Sequence, residues 1–119
     1  MTKKNILVTG GAGYIGSHTC KALKENGFTP IVFDNLSTGH LDFIKWGPFV
    51  KGDLLNIADI EKAFLDYEIS AVMHFAAKAI VSESMKSPNI YYQNNFIGAF
   101  NLIESMRKAG VKHFVFSST

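Results

Sequence analysis

Strand-like and helix-like segments alternate along this 119-residue chain. That order predicts an α/β fold: a Rossmann-type parallel sheet with helices on both faces, in strand order 3-2-1-4-5. Three observations predict it. Short apolar runs recur between stretches of helical periodicity. The turn after the first run reads Val8-Thr9-Gly10-Gly11-Ala12-Gly13-Tyr14-Ile15-Gly16, with glycines at every third position from 10 to 16. Asp34 closes the second run, about twenty residues further on.

Taken in order, Ile6 to Thr9 is the first strand. Tyr14 to Asn26 is the first helix, with Ile15, Thr19, Ala22 and Leu23 on one face and Gly27 as its stop. Pro30 to Phe33 is the second strand, followed by a polar loop from Asn35 to Gly39 and one short helical turn from Leu41 to Lys45. Phe49 to Lys51 is a short third strand. Asn56 is placed to cap a helix that runs to about Tyr67, with Asp59 in its first turn. Ala71 to Phe75 is the fourth strand. Pro88 suits the first position of a long helix to about Lys108, closed by Gly110. On it Tyr92, Phe96, Ala99, Ile103 and Met106 read as the core-facing stripe. Ile90, Ile97 and Phe100 form a second apolar side, to be covered by a further helix of the same chain or by a partner subunit. Val111 to Phe116 is the fifth strand.

Composition narrows the function classes. The chain is 47% hydrophobic with a net charge of +2, so neither a nucleic-acid tail nor a basic membrane face is expected. No apolar run approaches the ~20 residues of a membrane span. Met1-Thr2-Lys3-Lys4-Asn5 leads straight into the first strand, with no signal-peptide pattern. Cys20 is the single cysteine, so an internal disulfide is excluded and a structural thiol is expected. Four scattered histidines give no metal-site spacing. A cytoplasmic protein fits all of this. Residues 1–119 read as one domain whose sheet stops after the fifth strand. A doubly wound nucleotide fold continues to a sixth, so the chain is expected to be the front part of something longer.

The candidate chemistry lies where strands end. Gly10 makes the tight turn out of the first strand, Gly13 lets backbone approach a pyrophosphate, and Gly16 lets the helix pack closely on the sheet. The N–H groups and dipole of the new helix then face the phosphates. Asp34 is placed to accept from ribose hydroxyls and to repel a 2′-phosphate, which favours NAD over NADP. Asn35, Ser37 and Thr38 add hydrogen-bonding groups nearby, in a loop that is also ordinary turn chemistry. Asp53 could accept from an adenine amine while Leu54 packs on the ring; a turn aspartate explains its spacing equally well. Ala76 and Ala77, after Phe75, are small enough for a flat ligand to pass close to backbone. His74 lies inside a strand with no spaced partner, and reads as a packed histidine rather than a base.

These residues together resemble the UDP-glucose 4-epimerases, members of the extended short-chain dehydrogenase/reductase family. The resemblance rests on the stretch from Thr9 to Gly16, on Asp34-Asn35-Leu36-Ser37-Thr38-Gly39-His40, and on His74-Phe75-Ala76-Ala77. It continues through Glu83-Ser84, Pro88, Tyr91-Tyr92 and Asn94-Asn95 to Phe116-Ser117-Ser118-Thr119. It implies that Gly10, Gly13, Tyr14, Ile15 and Gly16 serve the pyrophosphate of NAD. Asp34 and Asn35 would hold the adenosine ribose, and Asp53 and Leu54 the adenine. Phe75, Ala76 and Ala77 would flank the cofactor, with Asn94 and Ser117 at its inner end. Thr119 would be the catalytic hydroxyl that hydrogen-bonds the sugar 4-oxygen of a UDP-sugar. The resemblance also implies a homodimer built through the helix at about 88–108.

Two departures stand out. Where some members carry a cofactor-binding lysine, this chain has Ala79, with Lys78 one step earlier. The family's Tyr-x-x-x-Lys pair and its substrate domain have no counterpart in these residues, so this chain alone is expected to lack epimerase activity. A free-standing NAD-binding module, and the front part of another NAD-dependent sugar-nucleotide epimerase or dehydratase, are the alternative readings.

Overall fold

Five parallel strands pair in the order β3-β2-β1-β4-β5, as the alternation predicts. They are β1 (Asn5–Thr9), β2 (Thr29–Asp34), β3 (Phe49–Lys51), β4 (Ile69–His74) and β5 (His113–Phe116). Among the described residues three helices connect them: α1 (Tyr14–Glu25), α2 (Ile57–Asp66) and α3 (Pro88–Ala109), with a 3₁₀ turn at Leu41–Phe43. This computed structural model describes residues 4–36, 40–75 and 88–116, with backbone alone at 88, 90–92 and 94.

Parallel strands buried on both faces need apolar residues at successive positions, and β1 and β2 supply them. Leu7, Ile31, Phe33 and Val72 point to the side covered by α2 and α3, where Ile60, Ala63, Leu102 and Met106 complete the core. Ile6, Val8 and Val32 point to the other side and pack with Cys20 of α1. The pairing of Thr9 with both Phe33 and His74, and of His74 with Phe116, sets one row across the carboxyl end of the sheet.

The strand and helix limits follow the sequence closely. β3 spans the three residues expected, and Asn56 caps α2, its side chain accepting from Ala58 N–H at 3.1 Å. The buried sides of two helices differ from expectation. On α1 the sheet-facing residues are Gly16, Ser17 and Cys20, whereas Ile15 is 51% exposed and Ala22 faces solvent. The helix lies so close to the glycine turn that only small side chains fit the contact line. On α3 the buried residues, among the described side chains, are Gly98, Asn101, Leu102, Ser105 and Met106, at helical spacing. Phe96 and Ile103, expected in the core, are 71% and 49% exposed, while Ala99 is half-buried. Small and polar residues seat α3 against its neighbours together with Leu102 and Met106, while Phe96, Phe100 and Ile103 lie outward. Ile97 is half-buried; the side chains of Ile90 and Tyr92 lie outside the described residues.

Candidate functional site

The residues singled out in the sequence gather at the carboxyl edge of the sheet. Gly10 follows β1, Asp34 ends β2, Asp53 follows β3 and Phe75 follows β4. Strand order reverses between β1 and β4, the switch point where ligands of such sheets bind.

The glycine turn is held from several sides. Gly10 takes φ +73°, a left-handed conformation that favours glycine. Its N–H donates to Phe33 O at 2.8 Å, and its own carbonyl accepts from Gly13 N–H at 3.0 Å. A Cβ on Gly16 would lie 2.1 Å from Gly10 O, so backbone packs on backbone there. Gly13 caps α1 without a side chain, and the first turn has no acidic residue. Among the described residues, then, no side chain caps this helix start, and the start presents N–H groups and a positive dipole to the switch point. Tyr14 is 71% exposed beside it, its ring edge-to-face with His18.

Asp34 is buried and braces the turn. One carboxylate oxygen accepts from Ala12 N–H at 3.1 Å and the other from Leu36 N–H at 2.7 Å. Leu36 adopts φ +64°, a left-handed conformation uncommon for a residue with a side chain. His40 N–H donates to Ala12 O at 3.0 Å, so the loop after β2 is tied to the glycine turn as well. A carboxylate has about four acceptor positions, and these two bonds leave room for further donors.

Asp53 performs turn chemistry with one oxygen, which accepts from Leu55 N–H at 2.9 Å. Its own N–H donates to Asp59 at 3.0 Å. Half-buried Leu54 stands between this loop and α3.

His74 is packed, as its place in the strand suggested. It is 2% exposed and its Nδ1 shares a hydrogen bond with the Thr9 hydroxyl on the neighbouring strand. Phe75 N–H donates to Thr9 O at 2.8 Å and lies 3.2 Å from Thr9 Oγ1. Phe114 and Phe116 flank the imidazole, and burial lowers its pKa from 6.5 to about 4. The ring is therefore neutral at physiological pH and ties β1 to β4 directly below the switch point. Burial likewise pushes the Cys20 thiol up to about 12, which keeps it protonated and unreactive. Thr9 was not among the residues singled out; a polar residue in an otherwise apolar strand, one step before the fingerprint glycine, was the available signal. Ser37, Thr38, Ala76, Ala77, Lys78, Ala79, Ser117 and Thr119, and the side chain of Asn94, lie outside the described residues. No group of three or more metal-binding side chains occurs among the described residues, and no described helix is long and apolar enough to cross a membrane.

A parallel sheet of this order, with a glycine turn and an acidic residue ending β2, defines the doubly wound α/β class whose members bind nucleotides at the switch point. Within that class, the chain belongs to the NAD dependent epimerase/dehydratase family, whose model matches residues 6–119. It is 46% identical to a UDP-glucose 4-epimerase of Rhizobium leguminosarum bv. trifolii over 119 residues, which is all of this chain and 36% of that protein. The crystal structure of UDP-glucose 4-epimerase from Brucella ovis in complex with NAD superposes with a TM-score of 0.92 at 47% identity, covering 97% of this chain and 35% of that one. A Thermotoga maritima UDP-glucose 4-epimerase with UDP-glucose superposes with a TM-score of 0.91 at 42% identity, covering 97% of this chain and 38% of the other. The chain thus spans about a third of the length of these relatives.

Proposed function

We propose that residues 1–119 form the NAD-binding region of a UDP-glucose 4-epimerase, a cytoplasmic enzyme interconverting UDP-glucose and UDP-galactose. The observation that carries this reading is the glycine cradle. Gly10, Gly13 and Gly16 bring the uncapped start of α1 to the switch point, with Asp34 beside it. A pyrophosphate fits that donor set, since an anion supplies what the helix start lacks. NAD, when bound, accepts and returns a hydride at the sugar.

The chain's own residues bind and orient. The backbone at Gly10, Gly13, Tyr14, Ile15 and Gly16 receives the pyrophosphate. Asp34 and Asn35 receive the adenosine ribose, and the carboxylate of Asp34 repels a 2′-phosphate. Asp53 accepts from the adenine amine, with Leu54 against the ring. Phe75, Ala76, Ala77, Asn94 and Ser117 flank the cofactor, and Thr119 hydrogen-bonds the sugar 4-oxygen; these last assignments rest on the resemblance. The exposed apolar row Phe96, Phe100 and Ile103 on α3 suits a homodimer interface.

The test is a calorimetric titration of NAD and NADP into the whole natural polypeptide that carries these residues, with turnover of UDP-galactose measured alongside. NAD should bind at least about tenfold more tightly than NADP, the worth of one strong charge repulsion at the ribose. Replacing Asp34 by Ala and adding a neighbouring Arg should narrow that gap. Equal affinities for the two dinucleotides, or no turnover, would overturn the reading.

A further inference from the structure

Helix α3 reaches across the sheet to grip one peptide unit of the loop after β3. Asn101, 7% exposed, donates from Nδ2 to Leu54 O at 2.9 Å, across 47 positions of sequence. The N–H of that same peptide unit belongs to Leu55, and it donates to Asp53 Oδ1 at 2.9 Å. In a trans peptide the carbonyl and the N–H point in opposite directions. Asn101 therefore holds one side of the unit and Asp53 the other. Rotating the peptide would break both bonds together and release the Asp53 carboxylate. Three residues before Asn101, on the same side of the helix, Gly98 makes room for Leu54: a Cβ there would lie 3.2 Å from Leu54 Cβ. The rest of the loop is equally fixed, with Asp53 N–H on Asp59 and Asn56 N–H on Asp53 O at 2.9 Å. The other oxygen of that carboxylate, Asp53 Oδ2, has no contact among the described residues.

We propose that Asn101 is a positioning residue for base selection: through the 54–55 peptide it orients the Asp53 carboxylate so that Oδ2 faces an adenine amine. This rests on the assignment of Asp53 to adenine made above. Asn101 touches neither base nor sugar. Its effect is confined to the choice of base, because the glycine turn and Asp34 are held by other bonds.

The experiment compares NAD with nicotinamide hypoxanthine dinucleotide, in which a carbonyl oxygen replaces the adenine amine, by calorimetry on the whole natural polypeptide. The unaltered protein should prefer NAD by about tenfold, the worth of one hydrogen bond to a charged acceptor. Asn101→Ala should cut that ratio to below about threefold, as an unanchored carboxylate loses its direction, while affinity for the hypoxanthine dinucleotide holds within about twofold. Asn101→Asp keeps the side chain's size, and its ionised form has no proton to donate to Leu54 O. It should lose the same preference, and it serves where the alanine variant does not fold. A ratio unchanged in both variants, or both dinucleotides weakened equally, would overturn the role given to Asn101. A native protein that binds the two dinucleotides equally would instead overturn the adenine assignment of Asp53, whatever the variants do.

Discussion

Around β1, α1 and the tail of β2, polar groups turn inward and small residues make the contacts. Gly16 sits on Gly10, the Asp34 carboxylate collects two backbone N–H groups, and the side chain of Thr9 meets His74. Along α3 and β5 large apolar side chains turn outward, although α3 also seats Gly98, Asn101 and Ser105 inward. Phe96, Phe100, Ile103, Val115 and Phe116 are each about half exposed or more, and the Phe96 and Phe100 rings stack on the outer side of the helix. The first region spends its sequence on backbone geometry, which is what a phosphate cradle requires. The second presents apolar surface, which is what an interface requires. The two regions therefore read differently: glycine marks the site in the first, and the exposed phenylalanines of α3 and β5 mark the outside in the second, whereas Phe33 of β2 lies in the core.

The sharpest way to break this contrast is at Gly16. Gly16→Val places a branched side chain where even a Cβ would lie 2.1 Å from a backbone oxygen. The helix start must move away, at a cost of about 3 kcal/mol or more, because backbone yields less than a side chain does. Thermal unfolding should register the loss, and NAD binding should disappear from calorimetry. Retained binding with a native melting temperature would show that the close approach is incidental.

Acid should test the region below the cradle. Burial holds the His74 pKa at about 4 against 6.5. As pH falls, the unfolded chain takes up this proton first, so stability is complete above about pH 6.5 and drains away toward about pH 4. The full span is worth roughly 3 kcal/mol. Denaturant titrations at a series of pH values should show that decline, and His74→Asn should remove most of it. A decline of unchanged size in the variant would assign the acid sensitivity to other groups.

The smallest effect on the isolated fold belongs to the outer side of α3. Phe96→Glu together with Phe100→Glu should shift unfolding of the monomer by about 0.5 kcal/mol or less, since exposed positions outside caps and networks contribute little. Sedimentation should nevertheless show the self-association proposed for this row weakened. A large loss of stability without any change in association would place those rings in the core after all.

Much of the frame was legible because it depends on local rules. The glycine spacing, the acidic end of β2, Asn56 as a cap and the three residues of β3 each follow from chain-local chemistry. The order of the strands follows from right-handed crossovers. The faces of α1 and α3 were legible only in part: Leu23 and Met106 pack inward as expected, and the rest was missed for one shared reason. Periodicity ranks residues by hydrophobicity, whereas close helix packing selects by size, so Gly16, Gly98 and Ser105 beat Ile15, Phe96 and Ile103 to the interior. Of the candidate site, sequence placed Gly10, Gly13, Gly16, Asp34, Asp53 and Phe75 at one edge, but not the bonds that brace them. Ala12, Leu36 and His40 act through backbone groups, which leave no mark on residue identity. Asn101 did leave one, as a polar residue at a buried helical position, yet its partner is 47 positions away.

The pairing of Thr9 with His74 also carries an evolutionary consequence. The two positions are 65 apart in sequence and adjacent in space, and each satisfies a polar group that the other buries. Loss of the hydroxyl alone strands an imidazole nitrogen, at the desolvation penalty of an unmade bond, about 1–3 kcal/mol, and loss of the imidazole alone leaves the hydroxyl only the Phe75 N–H at 3.2 Å. Exchange of both for apolar residues of matching shape avoids that penalty. Drift at these positions is therefore epistatic: the route between the polar pair and an apolar pair crosses a less stable intermediate, and lineages are held on whichever side they occupy.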